Sequence, residues 1–175
     1  MTNFSSEELG FKKISSDNWR SSDPIWDAYW RPESNRLQAW VEDFLAVELE
    51  PKVPLEIHRL FEVARSAFVY GVMFYPLVTL GAEQMCRVSE AAVSLKYRSL
   101  GAPGQKRKTF ANKIKWLIDS GIIKLEDENR WKYLLFFRNE GSHPKNQTIL
   151  TPVMCLQTME LVAGLISSLF SSNTR

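Results

Sequence analysis

The chain has 175 residues, 45% of them apolar and 24% charged, with a formal net charge of +2. That make-up suits one globular domain with a real core and excludes a disordered chain. The charge is too small to mark a nucleic-acid binder by itself, so any electrostatic argument rests on local clusters.

The first 32 residues are rich in Ser, Asp and Asn and lack a sustained period, yet carry Phe4, Phe11, Trp19, Trp26, Tyr29 and Trp30. Disordered tails are poor in aromatics. Residues 1–32 are therefore predicted to form an aromatic-rich N-terminal extension that packs in part across a helical domain spanning residues 33–175. Its tryptophans are expected to act as packing anchors rather than base-stacking platforms. After Pro32, Leu37, Trp40, Val41, Phe44 and Leu45 fall on one helical stripe. Pro51 to Pro54 then break the chain.

From Leu55 to Leu100 the pattern is helical almost throughout, with Pro76 expected to kink or divide it. Gly101 to Gln105 is a loop. The next helix turns Phe110, Ile114, Leu117 and Ile118 inward, with Gly121 as its C-terminal cap. "GIIKL" (Gly121 to Leu125) is the one hint of a strand. An acidic run opens a helix through "EDENRWKYLLFFRNE". Thr151 and Pro152 are a strong start signal for the last helix. The prediction is an all-α bundle of about five helices, one of them bent.

The two cysteines, Cys86 and Cys155, sit in apolar stretches with no metal-ligand spacing. Reduced, buried thiols of an intracellular protein are expected. No basic and then apolar leader opens the sequence, and the apolar run from Val153 to Phe170 is interrupted by Gln157 and Glu160. It reads as a core helix, not a membrane span, and a cytoplasmic location is the expectation. Neither a Gly-rich phosphate loop, a paired-carboxylate motif nor a nucleophile elbow is present, so no metal and no cofactor is predicted.

Chemistry concentrates in "RNEGSH": Arg138, Asn139 and, after three residues, His143. Histidine is the natural proton carrier near neutral pH. Arginine offers phosphate a fixed fork of donors and keeps its charge. Asn139 is placed to hold a phosphate or orient the imidazole. On a straight helix, five positions would turn His143 roughly 140° away from Arg138. Gly141 and Pro144 supply a break that would let the chain turn back. Arg138 also continues the apolar stripe of Trp131, Leu134 and Leu135, so it leaves a packed face.

At these residues the chain resembles the HEPN (higher eukaryotes and prokaryotes nucleotide-binding) domains, all-α proteins marked by Arg-(Asn, His or Asp)-x-x-x-His. The resemblance extends in outline from Leu55 to Phe170, with a long helix upstream, an apolar helix leading into the motif and another after it. It implies a homodimer whose two motifs face one shared cleft. It also implies metal-independent cleavage of RNA by His-assisted attack of the 2′-hydroxyl, leaving a cyclic phosphate. Arg138 and His143 would be catalytic, with Asn139 supporting. Stand-alone members of the family often act as toxins or in phage defence, so an antitoxin or other protein partner is a further expectation.

Each residue also has a plainer reading. His143 fits a helix end interacting with backbone carbonyls. Arg138 fits a salt bridge to Glu83 or Glu90. Glu83, Arg87 and Glu90 share a helix face, either orienting Arg138 across the bundle or pairing within their own helix. Ser142 serves the site as a donor or simply shapes a turn. Lys106, Arg107, Lys108, Lys113 and Lys115 form the one dense basic cluster, either a solvated face or a surface that tracks RNA phosphates. The competing function is a non-catalytic RNA- or protein-binding module or regulatory subunit that keeps the scaffold.

Overall fold

The computed structural model describes residues 5–28, 36–104, 108–141 and 150–171, and among these there is no strand. The helices are α1 (Ser6–Leu9), α2 (Arg36–Ala46), α3 (Leu55–Tyr70), α4 (Pro76–Ser99), α5 (Phe110–Asp119), α6 (Glu128–Gly141) and α7 (Pro152–Ser171). Short 3-10 turns occupy Pro24–Ala28 and Leu125–Asp127. The protein is all-α.

Of the two outcomes expected at Pro76, a kink or a division, the chain takes the second. The run forms two helices rather than a single bent one, so the bundle has more helices than the five expected. Pro76 takes the first position of α4, where its missing N–H would have lacked a helical partner in any case. The reversal is made by residues 71–75, so α3 and α4 form an antiparallel hairpin. They approach closely where Gly81 meets the Phe68 ring. "GIIKL" is not a strand. The Ile122 and Ile123 amides both donate to the Leu117 carbonyl and close α5, with Gly121 in the left-handed conformation at φ 70°.

α4 is the axis of the molecule, packed against α3, α5, α6 and α7. It is buried nearly all round, through Val78, Met85, Val88, Ala92 and Val93. α7 runs beside it, burying Cys155, Met159, Val162, Ile166 and Leu169. Thr151 caps α7 by accepting from the Met154 amide, as its sequence signal predicts. With 20 residues and a mean hydropathy of 1.6, α7 is the one helix among the described residues long and apolar enough to cross a membrane. Here its apolar stripe is core.

The N-terminal segment lies on the α3–α4 reversal. Trp26 is 1% exposed, wedged against Trp40 and Tyr75, and its indole N–H donates to the Gly71 carbonyl. The Asp23 amide donates to the Val72 carbonyl, and Lys12 ties the segment together through the Asn18 and Ser21 carbonyls. Trp19 stays 54% exposed under the Arg20 guanidinium. Phe4, Tyr29 and Trp30 lie outside the described residues.

Candidate functional site

α6 seats Trp131 and Leu134 in the core. Arg138 continues that stripe by one turn, which aims it at α4. Its Nη2 lies 3.2 Å from Glu90 Oε2, with the two side chains 44% and 36% exposed. A pair this open to water is worth about 0.2–1 kcal/mol at most, so it contributes little to holding the fold. Of the two carboxylates expected to take the arginine, it is Glu90 that does so.

Glu83 sits two turns earlier on the same face of α4. It and Arg138 both act on the Cys86 thiol between them. Burial pushes that thiol up to about 11, Arg138 opposes the shift and Glu83 adds to it. Arg87 points to solvent and, among the described residues, makes no ion pair with Glu83 or Glu90. Pairing within α4 is therefore not what these three residues do.

One basic residue joins the same stripe. Lys113 of α5 donates from Nζ to Ser94 Oγ at 2.9 Å. Ser94 follows Glu90 by four residues, about 6 Å along α4 on the same face. Two cations from two different helices thus meet α4 one turn apart, with the exposed Asn139 next to Arg138. Ser94 went unnoticed in the sequence, although its spacing from Glu83 and Glu90 places it on their stripe. Lys108 is half-buried and Lys115 exposed. Lys106, Arg107, Ser142, His143 and Pro144 lie outside the described residues, so the expected return of His143 toward Arg138 lies there too. α6 stays helical through Gly141.

The large exposed aromatics of α6 lie elsewhere. Phe136 and Tyr133 are 62% and 47% exposed, and Tyr133 stacks with Phe137. Phe136 stands about 160° around the helix from Arg138. A cleft of about 520 Å³ opens between the start of α6 and α7, walled by Lys124, Asp127, Arg130, Gln157 and Glu160. Arg138 is not among its walls. Among the described residues no group of three or more His, Cys, Asp or Glu side chains could hold a metal ion. The chain matches no known family model, no curated protein and no solved structure.

Proposed function

We propose that this protein is a metal-independent endoribonuclease of the HEPN type. What carries the reading is the convergence of Arg138 and Lys113 on one stripe of α4, just before the end of α6. Two fixed cations there suit a phosphodiester, whose charge grows as the bond to the leaving oxygen breaks. In this scheme His143 takes the proton of the ribose 2′-hydroxyl, whose oxygen attacks the adjacent phosphorus. Arg138 stabilises the charge that gathers on the phosphate, and Asn139 holds a non-bridging oxygen. As the phosphorus–5′-oxygen bond breaks, the leaving oxygen takes a proton from solvent water, and His143 later gives its own proton back to solvent. The products are a 2′,3′-cyclic phosphate and a free 5′-hydroxyl. Lys113, Lys115, Lys108, Lys106 and Arg107 track the flanking backbone, which makes binding fall with salt.

Two copies would bring their Arg138 side chains to a shared cleft through the side of α4 and α6 on which Arg138 and Glu90 are partly exposed. The Tyr133 and Phe136 face, on the far side of α6, would not achieve this. A role as a toxin or phage-defence effector, with a protein antitoxin, rests on the family resemblance alone, and a cytoplasmic location rests on the leader and apolar-run reading of the sequence.

The Arg138–Glu90 pair favours a second reading, a non-catalytic RNA- or protein-binding module in which the arginine is held by its carboxylate. Incubating wild type, Arg138→Ala and His143→Ala with total RNA in EDTA separates the two. The nuclease predicts cleavage by wild type and a loss of at least a hundredfold in each variant, the scale for removing a general base or a charge-stabilising donor. Equal cleavage by all three, or none by any, removes the enzyme. RNA retention without cleavage leaves the module.

A further inference from the structure

We propose that Tyr75 couples the docking of the N-terminal segment to the entry of α7, so that release of one loosens the other. Tyr75 is 8% exposed and stands between two parts of the chain distant in sequence. On one side, the Asp23 carboxylate, itself 1% exposed, accepts from the Tyr75 amide at 2.9 Å across a separation of 52 residues. The Trp26 ring packs edge-on against the Tyr75 ring at 5.4 Å. On the other side, the Tyr75 hydroxyl accepts from the Leu150 amide at 2.8 Å, across 75 residues. Leu150 is 3% exposed and directly precedes the Thr151 cap of α7.

The chemistry explains why this residue is a tyrosine. Burial of the Leu150 N–H without an acceptor is unfavourable. A phenol reaches it from the last residue before α4 while its ring fills the gap beside Trp26, and phenylalanine would do only the second. Asp23 does not touch Leu150. It fixes the backbone from which the phenol projects and also accepts from the Ile25 amide, which closes the turn that holds Trp26. Lifting the N-terminal segment removes the Asp23 and Trp26 contacts together and so weakens the support of the ring that holds Leu150. A ligand that captured this segment would therefore be sensed at the start of α7. The inference is independent of the RNA-cleaving reading.

The test is hydrogen exchange at the Leu150 amide in the full chain, for wild type, Tyr75→Phe, Asp23→Ala and the double variant. An α4 amide such as that of Ala92 reports global opening. Tyr75→Phe should speed Leu150 exchange about five- to tenfold, the weight of one hydrogen bond, with Ala92 changed less. Asp23→Ala should speed it in the wild-type background and add almost nothing in the Tyr75→Phe background. Additive effects, or equal acceleration at Leu150 and Ala92 in every variant, would overturn the coupling. If Asp23→Ala does not fold, Asp23→Asn, which keeps one acceptor oxygen, takes its place with the same criteria.

Discussion

The two thiols show how burial writes a pH dependence into single residues. Cys86 is pushed up to about 11 and Cys155 to about 12, burial being the leading cause in both. In the unfolded chain each ionises near its ordinary value of 9.0. Above that pH the unfolded state sheds protons the native state keeps, so stability falls as pH climbs from about 9 through 11 and 12. Lys96 works in the opposite sense. Its burial under the Phe170 ring lowers its pKa, so its contribution improves as pH rises toward 10.5. Cys155→Ala should therefore flatten the alkaline loss. Guanidinium midpoints taken from about pH 8 to about pH 11 should drop less steeply than in wild type. A parallel decline in both proteins would mean that Cys155 does not titrate with unfolding.

The α3–α4 hairpin depends on a glycine whose φ is ordinary. A Cβ at Gly71 would collide with Val78 Cγ2 and stand 3.0 Å from the Phe68 carbonyl oxygen, at the point where Trp26 docks. Gly71→Ala should destabilise by about 1–3 kcal/mol through overpacking and lower Tm by several degrees. Gly164 of α7 meets nothing within 4 Å, so Gly164→Ala should gain about 0.5–1 kcal/mol from helix propensity. Thermal unfolding of the pair checks both signs. The same hairpin marks what the sequence could convey. Period and caps place α2, α5, α6 and α7, because those signals are local. Pro76 serves equally as a kink inside a helix or as the first residue of one, and only the crowding at Gly71 and the docking of Trp26 decide between them. The stripe of Trp131, Leu134 and Arg138 is legible because helix spacing is regular, and it places Arg138 at the edge of a packed face. That Glu90 and not Glu83 takes it is settled only by the packing of α6 on α4. The Ser94–Lys113 and Asp23–Tyr75 contacts join residues with no shared period, so no pattern in the chain announces them.

For the molecule as a whole, the question is whether the N-terminal segment shares the fold's cooperativity or rides on it. Trp26 fills the space between Trp40 and Tyr75 with its indole N–H satisfied, and the ring sequence continues from Trp40 through Phe44 to Phe68 of α3. Removing the first of those rings opens a cavity at the junction of the segment, α2 and the hairpin. Trp26→Ala should therefore cost about 3–5 kcal/mol, a large fraction of the roughly 5–15 kcal/mol that stabilises a typical domain. Trp19, half-exposed with a single guanidinium over its face, supplies the internal control. Its replacement by alanine should cost no more than about 1 kcal/mol, the scale of an exposed cation–π contact. Denaturant unfolding followed by both tryptophan fluorescence and far-UV circular dichroism reads the difference. Wild type should give coincident transitions, and Trp26→Ala should move both probes together to a lower midpoint. A fluorescence transition that precedes the loss of helix would instead show the segment detaching first. That outcome, or equal costs at Trp19 and Trp26, would make the segment a separate unit laid on a helical body stable without it.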